Sequence, residues 1–190
     1  MSTLQITSYT MPAAPLGKPN PLPDLKNASD LHAEIEIDAK TVSSKEAKYM
    51  GWGQVKTILP YTLQDGYRRT LRKRTFKAVV LENQYLRATF LPQLGGRLWS
   101  LFDKEKKREL LHVNPVFQPC NLALRNAWFS GGVEWNVGII GHTPLTAEDM
   151  VCQQLSLEDG TPVLRMFQYE RVRHLFYRVE ALLPKGSRAV

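Results

Sequence analysis

The sequence predicts an all-β fold, an antiparallel β-sandwich, and three observations predict it. Short runs of alternating apolar and polar residues, the period of two that a half-buried strand requires, recur along the chain between turn signals. Helical periodicity is weak throughout. One dipeptide, Asp159–Gly160, stands between two alternating runs, where a tight hairpin turn needs positive φ angles. The composition, 43% hydrophobic and 23% charged over 190 residues, is that of an ordinary globular domain.

Taken in order, residues 1–30 are rich in proline (Pro12, Pro15, Pro19, Pro21 and Pro23) and lack a sustained hydrophobic period. They are expected to be an extended lead-in, partly disordered or draped over a domain of residues 31–190. "HAEIEIDAKTV" (32–42) puts Ala33, Ile35, Ile37 and Ala39 on one face and Glu34, Glu36, Asp38 and Lys40 on the other, the pattern of a strand. "SSKEAKYM" (43–50) is the one candidate helix, and "QVKTILPY" (54–61) a further candidate strand ended by Pro60. "RTFKAVVLENQYLRATFLP" (74–92) predicts two strands turning at Glu82–Asn83. "GGRLWSLFD" (95–103) follows as a third, with "RELLHV" (108–113) pairing back across a charged turn. "VCQQLSLEDGTPVLRMFQYERV" (151–172) is the hairpin centred on Asp159–Gly160, and "HLFYRVEALLP" (174–184) adds one more strand. The chain stops soon after that strand, so the sequence is expected to be an incomplete, N-terminal portion of a larger domain.

No apolar run approaches the roughly 20 residues of a membrane helix, and the first residues lack the basic and apolar regions of a signal peptide. Cys120 and Cys152 show no CxxC spacing and are expected to be reduced, which points to the cytoplasm. The net charge of +7 gathers at Arg68, Arg69, Arg72, Lys73, Arg74 and Lys77 and at Lys104, Lys106, Lys107 and Arg108. No nucleic-acid-binding motif accompanies it, so a solvated basic face is the preferred reading and nucleic-acid binding is not expected. His32, His112, His142 and His174 have no ligand-type spacing, and neither metal nor cofactor is expected.

The segment "NAWFSGGVEWNVGIIGHTP" (126–144) is unlike the rest. A core strand needs none of its polar groups, whereas a carbohydrate cleft uses them all. Aromatic faces suit the C–H surfaces of pyranose rings; carboxamides, carboxylates and arginine suit their hydroxyls. By strand alternation Leu122, Leu124 and Asn126 share a face with Trp128, and Arg125 takes the other. Glu134 and Asn136 would project together into a cleft while Trp135 anchors the strand in the core. His142 follows Gly141 in a loop and is the natural proton-transfer residue. Upstream, Gly95 and Gly96 free the backbone for a bulge that aims Arg97, a fork of donors for hydroxyl pairs or carboxylates, or else for a structural salt bridge. The candidate carbohydrate-binding residues are therefore Arg97, Arg125, Asn126, Trp128 and Asn136, and the candidate catalytic residues Glu134 and His142.

"LENQYLRATFLPQLGGRLWSLFDKEKKRELLHVNPV" followed by "LALRNAWFSGGVEWNVGIIGHTP" resembles a bacterial uncharacterised family in which a galactose-mutarotase-like domain precedes tetratricopeptide repeats. The resemblance covers about residues 75–184. Its strongest signature is the W-x-SGG-x-E-x-N…H-x-P pattern of Trp128, Ser130, Gly131, Gly132, Glu134, Asn136, His142 and Pro144. It implies a β-supersandwich that binds sugar in a groove, with protein partners reached through downstream repeats. Some members carry two adjacent histidines and an arginine before the proline, where this chain has "IIGHTP". Mutarotases draw a glutamate base from late in the domain, so turnover is left open: a carbohydrate-active isomerase or hydrolase on one side, a non-catalytic binding or protein-interaction module on the other.

Overall fold

Three antiparallel sheets and one short helix carry the described chain, which comprises residues 1–24, 36–51 and 53–190 of a computed structural model. The largest sheet runs in the order β1 (Thr3–Ala13), β2 (Arg72–Glu82), β3 (Leu86–Leu91), β4 (Arg97–Asp103) and β5 (Arg108–Glu109). A two-stranded ribbon follows, β6 (Cys120–Ala123) and β7 (Asn126–Trp128). The third sheet has β9 (Pro162–Glu170) between β8 (Val151–Ser156) and β10 (Leu175–Leu182).

Alternation along the strands decides which side chains meet. Val79 and Leu81 of β2, Leu86, Ala88 and Phe90 of β3, and Leu98 of β4 pack against Leu164 and Met166 of β9 and Ala181 of β10. That is the core of a β-sandwich. The intervening residues point the other way, so Phe76, Ala78, Leu91 and Trp99 form a second core with Met11 and Ala13 of β1 and with Phe117 and Phe129 from the segment after β5. A β-bulge supports this arrangement. The register passes from Thr89↔Ser100 to Phe90↔Leu98, which leaves Trp99 as the extra residue. Trp99, Phe117 and Phe129 are fully buried, and Phe117 meets Phe129 edge-on at 4.8 Å between centroids. Burying each such ring stabilises the fold by roughly 1.5–3 kcal/mol relative to leaving it exposed.

The strands expected over 74–92, 95–103, 151–172 and 174–184 are present, as are the turn after Glu82 and the Asp159–Gly160 hairpin, where Gly160 has a φ of 80°. The strand expected over 108–113 is confined to β5. The predicted helix forms as α1 (Ser44–Met50), held by a reciprocal cap in which the Ser43 hydroxyl accepts from the Glu46 amide and the Glu46 carboxylate accepts from the Ser43 amide.

Three expectations are corrected. Residues 3–13, expected to be part of a loose lead-in, are β1, registered against β2 from Thr3↔Glu82 to Ala13↔Arg72. Most of β1 is exposed and only Met11 and Ala13 are buried on it, so as an edge strand it carries little apolar alternation. Of the strand expected at 32–42, residues 32–35 lie outside the described residues. Residues 36–42 are loop and turn, where the Asp38 carboxylate accepts the Lys40 amide at 2.9 Å and its carbonyl accepts the Thr41 amide at 3.0 Å. An aspartate that bonds its own backbone two residues on competes with a strand ladder. Residues 54–61 form no strand either: Val55 and Ile58 turn inward together against Leu124 and Ile139 in a third apolar cluster.

Candidate functional site

The site is assembled from β7 and the loop that runs from it to β8. The expected single strand through 121–128 is instead a hairpin: β6 turns at Leu124–Arg125 and returns as β7, with Asn126 in the left-handed region at φ 79°. Alternation across that turn fails, which corrects the shared face expected for Leu122, Leu124, Asn126 and Trp128. Trp128 ends β7 half-buried.

Glycine then permits a close approach. Gly132 has a φ of 66°, and a Cβ there would fall inside contact distance of the Leu98 carbonyl oxygen. This lets the Val133 amide donate to that same carbonyl at 2.9 Å, stitching the loop to the bulge of β4. Beyond Val133 the chain is irregular, so Glu134 and Asn136 do not project together from a strand. Trp135 behaves as expected: it packs on the sandwich core, and its indole N–H donates to the Gly96 carbonyl at 2.8 Å.

Glu134 turns inward to the centre of a cluster. Its Oε2 accepts the Trp128 indole N–H at 2.9 Å and faces His142 Nδ1 at 3.0 Å, with Arg97 Nη2 at 3.8 Å. The Trp128 and His142 rings lie 5.1 Å apart, tilted by 58°. Burial pushes the Glu134 carboxyl up; the hydrogen bonds from Trp128, Thr146 and His142, with the Arg97 charge, outweigh it and hold the group below the ordinary glutamate value. Glu134 is therefore an anion at neutral pH, an acceptor and an orienting group rather than a proton donor. His142 sits in a strained loop position at φ 29°, one-third exposed, with Nδ1 directed at the carboxylate and Nε2 directed away from it.

The other expected residues fall elsewhere. Arg97 is buried under this cluster, not aimed at an open cleft. Nη1 donates to the Phe129 and Gly131 carbonyls at 2.7 and 3.0 Å, Nη2 donates to Thr146 at 2.9 Å, and the guanidinium lies 3.8 Å over the Phe129 ring. Burial lowers its pKa to about 10 against the raising effect of Glu134. Gly95 and Gly96 precede it in a turn, at φ 68° and 64°, and the bulge expected at the glycine pair falls instead at Trp99. Asn136 is exposed, and its Oδ1 accepts the Thr143 amide at 2.9 Å, which closes the loop carrying His142. Asn126 is half-buried and makes a parallel bridge to Gln64. Arg125 points away from the cluster: Nε donates to the Thr62 carbonyl at 2.7 Å and Nη1 pairs with Glu148. Sequence reasoning missed Thr146, which faces both Arg97 and Glu134; nothing local distinguishes it from any loop threonine. Among the described residues no group of three or more histidine, cysteine, aspartate or glutamate side chains could hold a metal ion, and no helix is long and apolar enough to cross a membrane.

Comparison with solved structures gives a fold match. A TPR-domain containing protein from Parabacteroides distasonis ATCC 8503 superposes with a TM-score of 0.73 at 17% identity, covering 98% of this chain. The chain spans 27% of the length of that protein. At such identity the likeness is one of fold. A family model, described as a domain of unknown function, matches residues 53–190 and so takes in β2 through β10 and every residue of the cluster around Glu134. On that match, the chain belongs to the DUF5107 family.

Proposed function

We propose that this domain binds carbohydrate at the Trp128–Glu134–His142 cluster, as a galactose-mutarotase-like module. One observation carries the reading: two partly exposed rings converge on a single ionised carboxylate oxygen. Ring faces stack on the C–H surface of a pyranose, and ring N–H groups and carboxylates meet its hydroxyls. Arg97 and Asn136 serve this site from behind, by holding the carboxylate and the loop in place, while Arg125 and Asn126 brace the hairpin. The free cysteines Cys120 and Cys152 fit a reducing, cytoplasmic setting.

If the site turns substrate over, the proton moves through His142. With Nδ1–H donated to Glu134, Nε2 carries the lone pair that can take a proton from a sugar hydroxyl, and the carboxylate stabilises the imidazolium that results. The test is to follow anomeric protons by NMR in a panel of mono- and oligosaccharides with the intact chain. Binding that Trp128→Ala weakens about tenfold or more, the scale of one lost aromatic or charge-assisted contact, supports the site. Exchange or hydrolysis abolished by His142→Ala makes it an enzyme. Silence across the panel, or binding indifferent to Trp128→Ala, removes the proposal.

A second reading, a protein-interaction module beside tetratricopeptide repeats, draws on the exposed apolar side chains of the third sheet. Val151, Tyr169 and Phe176 are 55%, 43% and 66% exposed. The description of the Parabacteroides protein fits it as well. Sugar binding that survives Phe176→Ser separates the two readings.

A further inference from the structure

A cavity is lined in part by Leu145 and Glu148, from the loop that carries Thr146. It encloses about 250 Å³, and its walls include Tyr61, Thr62, Arg125, Glu148, Gln168 and Arg171. That is near the small end of ligand pockets, which span about 300–1,000 Å³. Five separate stretches of chain meet here: the segment after β1, the loop before β2, the β6–β7 turn, the loop before β8, and the end of β9.

The donors are what set this cavity apart. Tyr61 is 4% exposed, and the guanidinium carbons of Arg125 and Arg171 each lie 5.3 Å from its ring centroid. Arg125 is 6% exposed and is fixed in place by Thr62 and Glu148 through Nε and Nη1, which leaves Nη2 with no hydrogen-bond partner among the described residues. Arg171 is exposed, and its guanidinium makes no hydrogen bond or ion pair among the described residues. The Tyr61 oxygen accepts the Arg171 amide at 3.0 Å, so its own proton is free to donate. Burial raises the phenol's pKa, and it stays a neutral donor. Two cations line the cavity with one carboxylate, Glu148, which Arg125 already engages; the buried Glu170 carboxylate near Tyr61 accepts the Val172 and Arg173 amides.

We propose that this cavity is a binding site for a small oxyanion, a carboxylate or phosphate carried by a compact polar ligand. Free guanidinium donors at a preformed, partly buried cavity match the planar, multidentate acceptors of such a group. Both guanidiniums lie 5.3 Å from the Tyr61 ring centroid, which groups the two forks around one buried side chain. The site stands apart from the Trp128–Glu134–His142 cluster and does not depend on the carbohydrate reading. The two share the β6–β7 hairpin, with Trp128 in one and Arg125 in the other, and the loop 143–148, with Thr146 facing one and Glu148 lining the other.

The test is calorimetric titration of the intact chain at low ionic strength with inorganic phosphate, glucose 6-phosphate, galacturonate and, as a neutral control, glucose. Saturable binding of at least one anion is expected. Arg171→Ala, at an exposed position, should weaken it about tenfold or more. Glu148→Gln, which keeps a hydrogen-bond acceptor for Arg125 but removes the opposing charge, should strengthen it. Arg178→Ala removes the same unit of charge from β10 and should leave it unchanged. The two anionic sugars against inorganic phosphate decide whether the ligand is a carboxylate or a phosphate. No saturable anion binding overturns the proposal, and so does equal weakening by Arg171→Ala and Arg178→Ala, which would mean general charge attraction alone.

Discussion

Trp128 and His142 share one acceptor: the indole N–H at 2.9 Å and imidazole Nδ1 at 3.0 Å converge on Oε2 of Glu134. The carboxylate thus ties the end of β7 to the loop that carries His142, fourteen positions after Trp128, and its charge is part of the tie. Because the folded-state pKa is depressed below 4.5, the ionised form contributes stability that is fully present above that unfolded value and is lost as pH falls through the folded one. Glu134→Gln should lower unfolding free energy by roughly 1–3 kcal/mol near neutral pH. The deficit should shrink once the pH drops below the ordinary glutamate value. Urea denaturation across that range measures it; a deficit constant with pH would show that the charge contributes nothing.

Arg97 supports Glu134 from beneath, with its side chain 3% exposed and its donors spread over two carbonyls and a hydroxyl. Arg97→Met would leave those acceptors without their donor and remove the cation beside the Glu134 carboxylate, at a cost of roughly 3–5 kcal/mol. Arg97→Lys keeps the charge but not the fork, and should recover only part of that loss. Chemical denaturation of the three proteins gives the order. If lysine restored wild-type stability, the fork would have no structural role and the charge alone would suffice.

Gly132 and Gly160 share a left-handed backbone but not their surroundings. A Cβ at Gly132 would press on the Leu98 carbonyl, whereas nothing lies within 4 Å of one at Gly160. Gly160→Ala should cost about 1–2 kcal/mol of backbone strain. Gly132→Ala should cost distinctly more and also disturb the Val133–Leu98 hydrogen bond, seen as faster amide exchange at Val133. Equal destabilisation by the two would place the whole effect in the backbone and none in the close packing.

Most of the sandwich was legible because its strands are half-buried: Val79, Leu81, Ala88 and Phe90 write their burial directly into the alternation. β1 was not legible, since an edge strand with little buried surface has little reason to alternate. The Asp38 turn shows the reverse failure, in which alternation is present but a side-chain bond to the backbone prevails. At the site, Trp128, Glu134 and His142 were picked out by residue type and do come together, yet strand geometry predicted the wrong neighbours for them. A hairpin turn at Leu124–Arg125 and an irregular loop after Val133 break the period of two, and Arg125 is carried off to a different cavity. The Tyr61–Arg171 pairing spans 110 positions and left no local signal at all.

β1 and its partner are far apart along the chain, with Thr3 and Glu82 separated by 79 positions. During synthesis β1 must therefore wait, solvated and unpaired, until β2 exists, and joining them closes a large loop. Until the two strands pair, β2 offers the backbone N–H and C=O groups of an open flank to any passing strand. β1 thus acts as a guard rail: this polar, proline-bearing strand covers a flank that would otherwise recruit a second molecule, and the protection begins only once a large loop has closed.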